Sequence, residues 1–435
     1  MTLEIFYLSP DSDSELCLHH MPPKHDICDK AISLLYIHGA TFPSALSIGF
    51  KLDGYSWMDN LADSGFNVWA LDFIGYGASA RYNPMPRAER EGEPYGHCEQ
   101  AVEQINCAID FIRDHDNVEK VSMIAHSWGT IPAARFAGEN PARVDRLVLF
   151  GPITKRDGQQ DANTQTETRL VTINEQYARF TEDVPPGRAA VLQMKHFDEW
   201  AKGYLASDPD SYNYDPPAVR VPSGPATDIH KAWSVQLPYD PATITAPTMI
   251  VRGEWDSLCT DDDARWLFDA LENAPVRHDV KISAATHLMH LEDGRFELYE
   301  ATRAFLSVLA VKPDEPKNRP AIAMIFEVEP YPEHKEKYLD ITANLRAELE
   351  RIDGFISIER FESLTINNKI LSLSFFRDEQ AIAEWRNLQV HRAAQNAGKE
   401  TLFKEYRLRI AEVVRDYGKN DREQASPDSR EAFLK

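Results

Sequence analysis

Residues 121–137 read VSMIAHSWGTIPAARFA, and this stretch decides the fold. An apolar run from Val121 to Ala125 meets His126-Ser127-Trp128-Gly129, after which Ile131, Ala134 and Ala137 recur at helical spacing. Strand, tight turn and helix within so few residues leave a serine on the bend. A nucleophile presented on such a turn needs small residues two before and two after it, because the backbone folds back on itself there. Ala125 and Gly129 meet that demand, with alanine standing where G-x-S-x-G has its first glycine.

Three separated stretches fit the same plan. ISLLYIH (32–38) ends in His38-Gly39-Ala40-Thr41, where Gly39 frees the backbone to bend toward the serine. The amides of Ala40 and Trp128 are then expected to form an oxyanion hole. TMIVRG (248–253) leads through Glu254 and Trp255 to Asp256, a carboxylate just past a strand's C-terminal end. HDVKI (278–282) leads into SAATHLMHLED, which supplies His287. In chain order these residues are a nucleophile, an acid and a base. Ser127 would attack a carbonyl, His287 would take its proton, and Asp256 would hold the imidazole in the right tautomer.

These residues resemble the α/β-hydrolase family over about residues 30–310, with LDFIGYGAS (71–79) similar to the turn after the family's fourth strand. The resemblance implies a doubly wound, mostly parallel sheet. Its spacing favours His287 over His290 as base and Asp256 over Glu254 as acid. Asp261, Asp262 and Asp263 then read as the start of a helix, and His126 as a packed neighbour of the serine. A serine nucleophile argues against the dehalogenases and epoxide hydrolases of this family, which use aspartate. The expected reaction is cleavage of a carboxylic ester, lactone or thioester of a fairly apolar small molecule, with C–C bond hydrolysis of a diketone as the alternative. Neither a cofactor nor a metal is called for.

Periodicity outside the motifs agrees. FNVWALDF (66–73) and RLVLFG (146–151) are apolar on both faces, as parallel strands covered by helices should be. EQAVEQINCAIDFIRDH (99–115) spaces Val102, Ile105, Ile109 and Ile112 as one helical face. From about 152 to 246 the alternation stops, and Tyr177, Phe180, Phe197, Trp200, Tyr204 and Trp233 appear. An insertion of this size reads either as a lid with a hydrophobic underside or as an excursion whose aromatics pack as core. The first domain thus spans 1–312, and the proline-rich, charged residues 313–320 read as a linker.

Beyond the linker the elements follow the order β-α-β-β-α-β, which is ferredoxin-like: AIAMIFEVEP, HKEKYLDITANLRAELERIDG, GFISIERFES, NKILSLSFF, a helix from Asp378, and FKEYRLRIAEVVRDYG. Trp385-Arg386-Asn387, His391-Arg392-Ala393-Ala394-Gln395 and Arg415-Asp416-Tyr417-Gly418 resemble the antibiotic-biosynthesis monooxygenase family over residues 321–418. The resemblance implies a homodimer paired through the sheets of this domain. Some relatives oxidise quinols and others degrade haem with an Asn, Trp and His set. Trp385 and His391 have counterparts in that set, but the first strand carries no Asn. A dimerising or substrate-shaping module is therefore expected, with cofactor-independent monooxygenation of an aromatic polyketide or quinol in this domain as the alternative. Residues 419–435 read as a disordered tail.

Composition sets outer bounds. The net charge is −22, and residues 1–312 hold 27 basic and 46 acidic side chains, which disfavours nucleic acid and anionic membranes as partners. Five cysteines without CxxC spacing predict reduced thiols and no zinc site. With no basic leader at the start and no long apolar run, a cytoplasmic location is expected.

Overall fold

A computed structural model of the chain describes residues 3–10, 14–24, 31–82, 92–158, 166–307, 322–388 and 401–418. The proposed linker, His391 and the polar tail lie outside them. The chain divides into two compact units, Met1–Ala310 and Val311–Lys435.

In the first unit, β1 (Glu4–Leu8) and β2 (Leu16–Met21) precede β3 (Ser33–Ile37), α1 (Trp57–Asp63), β4 (Asn67–Asp72), α2 (Cys98–Asp116), β5 (Val121–His126), α3 (Thr130–Glu139) and β6 (Val144–Phe150). An insertion follows, made of β7 (Thr168–Thr172), α4 (Ile173–Thr181), α5 (Met194–Ala206), β8 (Ala218–Pro222) and α6 (Gly224–Ala232). The unit ends with β9 (Thr248–Gly253), α7 (Asp261–Ala270), β10 (Arg277–Ile282) and α8 (Arg295–Ser307). Eight strands form one sheet in the order β1-β2-β4-β3-β5-β6-β9-β10. From β4 to β10 all neighbours are parallel, and β1–β2 and β2–β4 are antiparallel.

The all-apolar strands have a direct cause in this architecture. Leu35 and Ile37 of β3 enter one core, shared with Ile105, Ile109 and Ile112 of α2, while Leu34 and Tyr36 enter the other with α1 and α8. Each fully buried aliphatic side chain stabilises by about 2 kcal/mol, so a polar residue on either face of a central strand would be costly.

The opening strands β1 and β2 are not evident from the sequence, because β2 buries two histidines. His20 stacks on Trp69 at 3.9 Å and meets Glu4 and Asn67 through its ring nitrogens. His19 Nε2 bonds Asp72 Oδ2 at 2.9 Å. Asp72 also accepts from the amides of Ser44 and Ala78, so one buried carboxylate ties β2 to the loops after β3 and β4. Cys17 lies beside this pair, its sulfur 3.8 Å from His19 Nε2. The short His19–Asp72 contact and the two amide donors make the group an ion pair.

Within the insertion, Phe180, Phe197, Trp200 and Tyr204 are all buried. Trp200 stacks on Tyr204, meets Phe42 edge-on at 5.2 Å, and donates its indole N–H to the Leu46 carbonyl. These aromatics pack as core and clamp the insertion onto the loop after β3.

The second unit comprises β11 (Ile322–Pro330), α9 (Lys335–Leu349), β12 (Phe355–Glu362), β13 (Ile370–Phe376), α10 (Glu379–Asn387) and β14 (Phe403–Glu412). Its antiparallel sheet has the ferredoxin-like order β12-β13-β11-β14. Among the described residues no helix is long and apolar enough to cross a membrane.

Burial opposes charge on His19, but the hydrogen bond and charge of Asp72 raise its pKa from 6.5 to about 10. A raised pKa means stabilisation that is complete below pH 6.5 and lost as pH rises through 10. The thermal midpoint is therefore expected to fall between pH 7 and 10. His19→Gln should flatten that slope and cost about 3–5 kcal/mol at pH 7, measured by calorimetry, because Asp72 is left buried and unpaired.

Candidate active site

β5 ends at His126, and Ser127 follows at a φ of 55° before α3 begins. That left-handed conformation costs a non-glycine residue about 1–2 kcal/mol, and neighbouring contacts hold it. Thr130 Oγ1 donates to the Ser127 carbonyl at 2.6 Å and accepts from the Ile153 amide at 3.2 Å. Gly129 is required by space: a Cβ there would sit 2.3 Å from the His38 carbonyl. The end of β3 therefore presses on the turn, and a side chain at Gly39 would come within 3.1 Å of the Ser127 Cβ.

His38 secures that junction. Its Nδ1–H donates to the Gly39 carbonyl at 2.7 Å, and its Nε2 accepts from the Phe73 amide at 3.1 Å. Burial lowers its pKa, as a ring that must accept at Nε2 requires. Tyr76 donates to the Ala40 carbonyl at 2.7 Å. The Gly39-Ala40 segment is thus fixed beside Ser127 and Trp128.

Asp256 and His287 come from the ends of β9 and β10. His287 Nδ1–H donates to both Asp256 oxygens, at 3.0 and 2.9 Å. Asp256 Oδ1 also accepts from the amides of Leu258 and Cys259, which help hold the carboxylate toward the imidazole. With the proton on Nδ1, a neutral His287 presents a bare Nε2. That atom is buried and has no partner among the described residues. No hydrogen bond joins it to Ser127 in this structure. His126 links the two segments: its Nε2–H donates to the His287 carbonyl at 3.0 Å.

His290 lies in a short 3-10 turn, Met289–Leu291, ahead of α8. Its Nε2 shares a hydrogen bond with Ser47 at 2.9 Å, and burial pushes its pKa down to about 3. Glu292 accepts from the amide and hydroxyl of Thr286, so it braces the residue before His287; burial raises its carboxyl to about 7. Glu254 instead caps the loop at the Ala284 amide, and Asp263 forms a capping box with Thr260 at the start of α7.

Two further contacts carry no sequence motif. The Trp128 indole N–H donates to Asp228 Oδ2 at 3.0 Å, and the same oxygen accepts from the Cys98 amide at 2.8 Å. His97 Nδ1 bonds the other Asp228 oxygen at 2.9 Å. Asp228 therefore ties α6 of the insertion to the turn that follows the serine and to the start of α2. Nothing in the sequence flags an aspartate one hundred residues away.

The fold, the bent serine and the Asp256–His287 pair set the context for similarity to known proteins. The family described as serine aminopeptidase, S33, matches residues 55–294, more than half of the chain. The chain belongs to that family. The C-terminal unit of this S33 hydrolase matches the antibiotic biosynthesis monooxygenase family over residues 321–397. A jasmonate monooxygenase of Pyricularia oryzae is 41% identical over 99 residues, 23% of this chain and 46% of that protein. A 1-acylglycerol-3-phosphate O-acyltransferase, ABHD5, of Sus scrofa is 29% identical over 131 residues, 29% of this chain and 31% of that protein. The chain thus spans less than half the length of these curated relatives. Naproxen esterase of Bacillus subtilis shares 17% identity over 70% of this chain and 92% of that one, with a TM-score of 0.44.

Gly129→Ala should lower stability by about 2–3 kcal/mol through the clash with the His38 carbonyl, read as a drop in thermal midpoint. Asp228→Asn retains an acceptor for the Trp128 indole and should cost much less than Asp228→Leu, which leaves that N–H and the Cys98 amide buried without a partner.

Proposed function

We propose that this S33 hydrolase cleaves an ester, lactone or thioester of a fairly apolar small molecule through an acyl-enzyme. The observation that carries the reading is the bidentate Asp256–His287 contact, which leaves a buried Nε2 with no partner among the described residues, on a segment bonded to His126, the residue before the bent Ser127. Ser127 Oγ adds to the substrate carbonyl as its proton moves to His287 Nε2. The amides of Ala40 and Trp128 receive the developing oxyanion; one such donor is worth about 3–4 kcal/mol in the transition state. The leaving group departs with the proton from His287. Water, deprotonated by the same nitrogen, then releases the acid and restores Ser127. None of these steps draws on a cofactor or a metal.

For the C-terminal unit we propose a small-molecule site and a pairing surface. An open pocket of about 280 Å³ supports the first, as does the partial match to a relative named a jasmonate monooxygenase. The second rests on Ile325, Leu371, Leu373 and Phe375, which alternate with the cavity-lining positions and are only half-buried in a single chain. The same face of a second copy would cover them. We also place the protein in the cytoplasm, in keeping with unpaired cysteines at 17, 98, 107 and 259.

A fluorophosphonate probe is expected to label the wild type and not Ser127→Ala. A panel of esters, lactones, thioesters and aminoacyl amides should lose roughly a million-fold in turnover in that variant; a folded wild type that resists the probe would defeat the proposal. Sedimentation should give twice the chain mass, and Leu373→Glu should give the single-chain mass.

A further inference from the structure

His287 lies on an irregular segment, residues 283–288, between β10 and the short turn that opens at Met289. Its ring Nδ1 meets Asp256, and its carbonyl accepts from His126. The amides of its two chain neighbours lead to a different group. Glu292 Oε2 accepts from the Thr286 amide at 3.2 Å, and Oε1 accepts from the Thr286 hydroxyl. The oxygen of that hydroxyl accepts in turn from the Leu288 amide at 3.2 Å. His287 is therefore bracketed, with the residue before it and the residue after it both tied to one carboxylate.

The need to close a turn does not account for a charged group here. Glu292 is buried and forms no ion pair among the described residues. The nearby Arg295 gives Nη1 to the Glu292 carbonyl. Asp256 and Asp183 of the insertion face the carboxylate with like charge, Asp183 itself being held by Arg179 of α4 at 3.2 Å. A buried carboxylate without a cation is costly, and a smaller polar side chain could hold a turn at less cost. What the carboxylate offers is two acceptor oxygens for two donors. A glutamine has one acceptor oxygen, and a protonated glutamic acid turns one of its oxygens into a donor.

We propose that Glu292 is a positioning residue for acyl transfer: by holding Thr286 and, through it, Leu288, its carboxylate sets the direction in which His287 presents Nε2 to Ser127. The inference rests on reading Ser127 and His287 as nucleophile and base, and goes beyond it by making that base depend on a third acidic residue. Glu292 touches neither substrate nor reacting atoms and acts through Thr286. A displacement of about 1 Å in a reacting group can cost roughly a hundredfold in rate, so a loosened bracket is felt in the chemical step. Burial, with the charges of Asp183 and Asp256, raises the Glu292 carboxyl to about 7. The ionised form, which accepts both bonds, prevails above that pH and gives way below it.

The test is the rate at which a fluorophosphonate inactivates the full-length protein, which reads Ser127 and His287 without knowledge of the substrate. Glu292→Gln keeps the size of the side chain and removes one acceptor. It should slow inactivation roughly ten- to hundredfold. In the wild type the rate should rise through an ionisation near pH 7 that is missing from Glu292→Gln. Thr286→Val should slow inactivation to a similar extent, and Thr286→Ser, which keeps the hydroxyl, should retain most of the rate. The double variant Glu292→Gln with Thr286→Val should lose no more than the slower single variant, because both changes break one bracket. Thermal midpoints identify folded variants; if Glu292→Gln does not fold, Thr286→Val against Thr286→Ser makes the same comparison. An unchanged rate in folded Glu292→Gln or Thr286→Val, a slowed rate with the wild-type pH profile, or additive losses in the double variant would each overturn the inference. A wild type that the probe does not label fails differently, since it removes Ser127 and His287 as nucleophile and base before Glu292 is varied.

Discussion

Ser127 is held in a backbone conformation that a side-chain-bearing residue avoids, and the surrounding unit is arranged so that it cannot relax. The bend demands that α3 begin directly after β5, which brings Gly129 against the carbonyl end of β3. Because β3 and β5 are neighbours and parallel, the loop leaving β3 has little choice but to pass beside the serine. His38, Tyr76 and Thr130 then fix that loop and the turn with buried hydrogen bonds. A side chain aimed into a site by strain needs a rigid frame, and the parallel sheet, buried on both faces, supplies it.

The electrostatics near the serine follow from burial. Four histidines (His38, His126, His287 and His290) lie inside the protein, and burial drives the pKa of His38, His126 and His290 downward. Neutral rings can pack edge-on or stacked, as His126 does on Phe150 and against His290. His287 alone among the four has a carboxylate at its Nδ1, and that carboxylate is what an imidazolium there would need. The contrast with His19 is instructive. It is buried too, yet its Asp72 partner raises its pKa, so the same residue type serves as a structural cation at one place and as a neutral ring at another.

Much of the fold is legible in the sequence because central strands must be apolar on both faces, and the runs at 33–37, 67–72, 121–126, 144–150 and 248–253 have no other simple use. The bend at Ser127 and the positions of Asp256 and His287 are legible for a related reason: each lies just past a strand end, where local sequence and geometry are coupled. β1 and β2 escape notice because His19 and His20 break the apolar pattern and find partners only through Asp72, Trp69 and Glu4, distant in sequence. Asp228 escapes for the same reason. In the C-terminal unit, the alternation in ILSLSFF marks a strand but not its facing. Leu371, Leu373 and Phe375 turn outward, and only the tertiary structure shows the serines inside.

The bond between Asp228 and Trp128 bears on how this architecture can change. The segments that cover a hydrolase site are usually treated as exchangeable parts, varied to suit a new substrate while the frame stays constant. Here the insertion contributes a buried carboxylate that completes the hydrogen bonding of the residue after the serine and of the first turn of α2. Removing or replacing the insertion would strand two buried donors within the frame itself. The insertion is therefore expected to diversify by point changes around a fixed Asp228 rather than by wholesale exchange of the segment.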